Sequence, residues 1–159
     1  MLIRILFVSF SCFLMFGCAS SNNAGNGYSI EKLNAHWFKV NLKREGVVAT
    51  DSGLQYKILE ESTGCKPDTD YKIKVHYKML SANRKQLIDS SYQRGNPSNF
   101  KLSKMIEGWR EGVPMMKVGE SWEFYIPPHL AYGSKGSSAV APNSLLIAQI
   151  KLIDARCQN

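Results

Sequence analysis

Three short segments within 88–133 hold the residues best suited to chemistry: Ile88-Asp89-Ser90-Ser91-Tyr92, Met105-Ile106-Glu107-Gly108-Trp109 and Ile126-Pro127-Pro128-His129-Leu130-Ala131-Tyr132-Gly133. Together they offer aromatic and apolar side chains with two or three hydrogen-bonding groups. They lack a nucleophile beside a base. His36, His76 and His129 have no metal-ligand spacing, and Gly133-Ser134-Lys135-Gly136 has neither the length nor the flanks of a phosphate loop. No metal and no cofactor is therefore expected. Rotation about a prolyl amide is one reaction that needs only such a pocket. The amide loses its resonance as it twists, so the uncatalysed step is slow. A dry apolar pocket disfavours the more polar planar amide relative to the twisted one, and a hydrogen bond to the twisted carbonyl widens the difference.

These segments, in this order, resemble the FKBP-type peptidyl-prolyl isomerases, and the resemblance covers roughly 45–152. It implies an α+β fold, an antiparallel sheet wrapped around one short helix. Trp109 resembles the indole floor on which the proline ring sits. Met105 and Ile106 resemble the apolar pair just upstream, and the backbone N–H at Ile106 the donor to the substrate carbonyl. Tyr132 resembles the tyrosine whose hydroxyl donates to the bound peptide, and Tyr77 with Asp89 a phenol–carboxylate pair at the pocket wall. The resemblance thus implies catalytic roles for Tyr77, Asp89, Ile106, Trp109 and Tyr132, and substrate contacts from Ile88, Met105 and Ala148.

The departures matter as much. Ile88 stands where the family usually has phenylalanine, Ser98 and Ala148 replace further aromatic residues, and Met79 replaces a glycine. The segment between Tyr77 and Asp89 is one residue longer, and Ser137-Ser138 replaces glycines and apolar residues. Phe100 is kept, as a core residue. The expected function is a prolyl isomerase with a wider pocket that assists the folding of exported, proline-containing polypeptides. The alternative is a non-catalytic peptide-binding or chaperone module with a degraded aromatic pocket.

The N-terminus has Arg4, an apolar run over 5–16 and then Gly17-Cys18. That is the layout of a secretory signal, too short to span a membrane as a mature helix. The small residue before Cys18 resembles a bacterial lipoprotein cleavage site. Residues 1–17 then read as the signal, Cys18 as the lipidated residue, and the small, polar 18–28 as a flexible tether. The alternative is an ordinary signal with an incidental cysteine. The expected location is outside the cytoplasm, facing the periplasm or cell exterior, held to a membrane by lipid. Removing 1–17 deletes Arg4 and no acid, so a formal charge of +7 becomes +6. Lysines and acids are interspersed without a basic stripe, and no nucleic-acid partner is expected. Cys65 and Cys157 remain, and export permits a disulfide. The family fold implies that the loop before the second main strand lies near the chain's end, which would join them; two free thiols are the alternative.

Several elements must position these residues. Ser29 can cap a helix in which Ile30, Leu33, Trp37 and Val40 recur at spacings of three and four, within 29–46. This stripe docks on the domain or, alternatively, pairs with a second copy as a weak homodimer. The domain proper spans 47–159. Leu54, Tyr56 and Ile58 alternate with the polar Gln55 and Lys57 up to Leu59, where the strand ends or bends. The clearest strand is 71–79, with Tyr71, Ile73, Val75, Tyr77 and Met79 on one face. Alternation recurs at Trp122, Phe124, Ile126 and at Leu146, Ala148, Ile150, Leu152, with one short helix near 103–111 between them. Alternating faces with one helix to cover them make an antiparallel α+β domain.

Overall fold

The computed structural model describes residues 29–68, 70–82 and 86–157. The expected signal, Cys18 and the tether lie outside the described residues. Helix α1 (Ile30–Asn41) precedes strands β1 (Val47–Ala49), β2 (Gln55–Glu60), β3 (Lys72–Ser81), β4 (Gln86–Ser90) and β5 (Ser98–Lys101). Helix α2 (Glu107–Gly112) follows, then β6 (Ser121–Ile126) and β7 (Leu146–Ala155). The strands form one antiparallel sheet in the order β1-β2-β6-β7-β3-β4, with β5 also beside β3.

The centre of the sheet is the β3–β7 pair, in which Tyr77 faces Ile150 and Met79 faces Ala148. Ile73, Val75, Tyr77 and Met79 are buried on the inner face, as are Leu146, Ala148, Ile150 and Leu152. The period-two pattern therefore sends these apolar residues to one side, where α2 covers them. Tyr71 does not share this face. It precedes β3, is 44% exposed, and carries the Arg156 guanidinium 4.1 Å above its ring.

The expected helix over 103–111 is split. Leu102–Lys104 is a 3-10 turn and α2 begins at Glu107, because Met105 and Ile106 are both extended. The break matters for the site, since it frees a backbone donor.

Helix α1 lies on the opposite, outer face of the sheet, over β2 and β6. It does so with a different side from the one its apolar stripe predicts. Leu33 and Val40 are each 50% exposed, while the buried residues are Asn34 and Asn41. One residue of offset rotates a helical position by about 100°, which separates the two faces. Asn41 donates to Gln55 Oε1 at 2.9 Å, and Gln55 Nε2 donates to the Phe38 carbonyl at 3.0 Å. Arg44 donates to Asn41 Oδ1 at 2.9 Å, and Trp37 packs on Tyr125 with centroids 5.7 Å apart. Once paired, these amides can be buried at little cost. Gln55, expected on a solvated face, is accordingly buried. The helix also stops at Asn41, short of the expected Glu45-Gly46, and Gly46 at φ 78° turns the chain into β1. At Leu59 the β2–β6 register shifts between Ile58 and Glu60, so the strand bends and continues.

Cys65 and Cys157 are joined in a disulfide with Cα atoms 5.6 Å apart. The neighbouring Pro67–Cys157 bridge ties the loop before β3 to the segment after β7.

Candidate functional site

Helix α2 sits unusually close to β6, and two glycines make this possible. A Cβ on Gly108 would stand 2.6 Å from Ile126 Cγ2, and one on Gly112 would stand 2.4 Å from Phe124 Cε1. Any side chain at either position would lift the helix. The close approach places Trp109, 1% exposed, at the floor of a cavity of about 240 Å³. Pockets for drug-sized ligands start at about 300 Å³, so this one suits a single ring or side chain. The Tyr77 and Phe100 rings stand edge-on to the Trp109 indole, with centroids at 5.4 and 5.7 Å. Such edge-to-face contacts favour a rigid cluster. The indole N–H has no hydrogen-bond partner among the described residues. Phe100, expected only in the core, thus also lines the cavity.

One wall is polar. The Tyr77 hydroxyl and the Arg94 guanidinium both donate to the Asp89 carboxylate, and the Ser90 N–H donates to Asp89 Oδ1 at 2.7 Å. Arg94 also donates to the Tyr77 hydroxyl oxygen at 2.8 Å and to Ser98 Oγ at 3.2 Å. Burial, aided by the hydrogen bond to Asp89, pushes the Tyr77 phenol above its ordinary value. Burial pulls Asp89 upward too, but the bonds from Tyr77, Arg94 and Ser90 and the Arg94 charge outweigh it and hold the carboxyl below its usual range. At neutral pH the wall therefore holds a neutral phenol and a carboxylate whose charge Arg94 offsets.

Two donors face the cavity without partners among the described residues. The Ile106 N–H precedes the first turn of α2 and makes no hydrogen bond among the described residues. Tyr132, half-buried on the loop after the 3-10 turn Pro128–Leu130, lines the cavity with no hydrogen bond from its hydroxyl among the described residues. The arrangement can bind an apolar ring and hold one or two carbonyl oxygens.

Six of the residues singled out in the sequence meet around this cavity: Tyr77, Asp89, Met105, Ile106, Trp109 and Tyr132. Ile88 and Ala148 do not line it. Ile88 packs partly buried against the core, and Ala148 is fully buried. For Ala148 the reason is Met79, its cross-strand neighbour, which lines the cavity. Its long side chain forms the wall next to the small alanine. Arg94 and Lys104 were not foreseen. Arg94 lies in a turn, where only its position five residues after Asp89 and before Gly95 hints at a partner; Lys104 at the rim has no sequence signal.

The sequence profile of the FKBP-type peptidyl-prolyl cis-trans isomerase family matches residues 64–153. Among curated proteins, the FKBP-type peptidyl-prolyl cis-trans isomerase FkpA of Aeromonas hydrophila is 38% identical over 123 residues, which is 77% of this chain and 46% of that protein. The peptidyl-prolyl cis-trans isomerase Mip of Coxiella burnetii is 40% identical over 117 residues, 73% of this chain and 50% of that one. The outer membrane protein MIP of Legionella longbeachae is 35% identical over 121 residues, 76% of this chain and 52% of that protein. The chain thus spans about half the length of these relatives. Among solved structures, FkpA from Escherichia coli superposes with a TM-score of 0.74 at 35% identity, covering 78% of this chain and 58% of that one. A peptidyl-prolyl cis-trans isomerase from Pseudomonas syringae gives 0.73 at 27% identity, covering 79% and 92%.

Proposed function

Because the chain belongs to the FKBP-type peptidyl-prolyl cis-trans isomerases, we propose that it accelerates cis–trans rotation of X-Pro bonds in polypeptide clients. The observation that carries this is a cavity of about 240 Å³ floored by Trp109, with the Ile106 N–H and Tyr132 hydroxyl, unpaired among the described residues, at its edge. The prolyl ring rests on the indole, the Ile106 N–H takes a carbonyl of the peptide, and the Tyr132 hydroxyl holds the backbone. Catalysis comes from environment. The dry floor disfavours the planar amide, and the donors favour the twisted carbonyl. Tyr77 and Asp89 line the wall, and Arg94, bonded to both, offsets the Asp89 charge. Met79 occupies space that a lost ring would leave open, which favours turnover over the non-catalytic alternative.

The further features belong to the same reading. The chain is exported, its clients are exported proteins, and Cys18 anchors it through lipid on the periplasmic or outer side of a membrane. The membrane relative from Legionella supports that placement. The outward stripe of α1 supports weak self-association as a dimer.

The deciding test is exchange spectroscopy by NMR on an X-Pro peptide with and without the protein. Acceleration that Tyr132→Phe reduces while the fold is kept is expected. No acceleration at high protein concentration would leave only peptide binding.

A further inference from the structure

The loop that carries Tyr132 is held from outside the sheet and α2. The Gly136 N–H donates to the Tyr132 carbonyl at 3.1 Å, the Asn143 N–H to the Gly133 carbonyl at 2.8 Å, and the Gly133 N–H to the Pro128 carbonyl at 2.8 Å. Asn143 closes this loop with φ 54°, the one positive value among described non-glycine residues, and asparagine tolerates that conformation better than most. Helix α1 holds Asn143 at two points. Asn34 Nδ2 donates to its carbonyl at 2.9 Å, and its own side-chain amide donates to Glu31 Oε1 at 3.2 Å.

Between helix and loop lies a cleft of about 410 Å³, lined by Ala35 and Phe38 on one side and by Pro127 and Pro128 on the other. The hydrogen bonds to Asn143 link the helix to the loop beside this cleft. Asn34 is 6% exposed, so its hydrogen bond to the Asn143 carbonyl is shielded from water.

We propose that α1 sets the position of Tyr132 through Asn34 and Asn143, which makes Asn34 a positioning residue for the pocket. Helix α1 lies outside the 64–153 stretch that the family profile covers, so the Asn34 half of the device sits in this chain's N-terminal segment. It rests on the reading of Tyr132 as the donor to the bound peptide.

The test is a double-mutant cycle in the full chain with Asn34→Ala, Tyr132→Phe and the pair. Losing one hydrogen bond that holds the loop should lower kcat/KM by about two- to twelve-fold. In the Tyr132→Phe background the same change should have no further effect. Additive losses, or a lower melting temperature with kcat/KM unchanged, would reduce Asn34 to a structural clamp and overturn the proposal. Glu31→Ala, at an exposed site in the first turn, serves if Asn34→Ala does not fold, and should show a smaller effect of the same pattern. If the wild-type protein does not accelerate exchange, the isomerase reading alone fails. The cycle is then read on the affinity for an X-Pro peptide from tryptophan fluorescence. Non-additivity there sustains the proposal; additivity, or no peptide binding at all, sinks it.

Discussion

Replacing Gly108 by alanine adds one methyl group at a very tight point between α2 and β6. The new Cβ would lie 2.6 Å from Ile126 Cγ2, with two more Ile126 carbons at 3.3 and 3.4 Å. Ordinary carbon contacts fall at about 3.5–4.0 Å, so something must yield by about 1 Å. Ile126 is fully buried, and its β-branched side chain has little rotameric freedom. The shift therefore falls on α2, and Trp109 is the next residue. Two effects of different size follow. Overpacking costs about 1–3 kcal/mol, while alanine regains about 1 kcal/mol over glycine in a helix. The net loss of stability is then only about 0–2 kcal/mol. Displacing a positioning group by about 1 Å, however, can cost up to about a hundredfold in rate. Exchange catalysis should fall at least about tenfold with only a modest drop in the urea midpoint. The assay pairs NMR exchange on an X-Pro peptide with equilibrium unfolding of the same sample. A variant as fast as wild type, or one whose loss of rate merely follows its unfolded fraction, would refute the idea that the glycine seat of α2 positions the floor.

Other perturbations test other parts of the molecule. The disulfide spans 92 residues of sequence, for which loop entropy gives about 4.6 kcal/mol as an upper value. Replacing both cysteines by serine should lower the melting temperature by roughly 10 °C or more and leave the rate below melting unchanged; an unmoved melt would contradict this. Asp89 is held low in the folded protein, so its contribution is present above the unfolded carboxylate value of about 3.9 and is lost as pH falls through the lower folded value. Asp89→Asn should flatten that acid limb of stability, measured by urea unfolding against pH. Tyr125 is pushed up to about 12, first by burial and then by the Glu123 carboxylate it donates to. Its contribution is present below the unfolded phenol value of about 10 and fades as pH rises from there through the folded value; a phenolate absorbance titration that finds every tyrosine near the ordinary value would contradict this. Leu33→Glu on the exposed stripe should abolish any concentration-dependent self-association seen by sedimentation without altering the fold.

Much of the scaffold was legible because β3 and β7 each bury one face and β6 turns Trp122, Phe124 and Ile126 to that same side, and a half-buried strand must alternate its side chains. The segments around Asp89, Trp109 and Tyr132 were legible through their resemblance to a known family. The side of α1 was not. An apolar stripe usually marks the buried face, but burial here follows amides whose partners are remote: Gln55 lies 14 residues from Asn41, and Asn143 lies 109 residues from Asn34. Arg94 was invisible for a similar reason. A turn residue joins the site only because the β3–β4 pair brings Tyr77 and Asp89 to the same wall.

By itself, then, the sequence determined the strand faces and the kind of chemistry on offer, because periodicity and residue type are local properties, while the aromatic floor followed from the family resemblance. Tertiary structure alone decided which side of α1 is buried, that Met79 and Phe100 line the cavity where Ile88 and Ala148 do not, and that Arg94 neutralises Asp89. Those outcomes depend on pairing and on filling space between segments far apart in the chain. No local pattern encodes them.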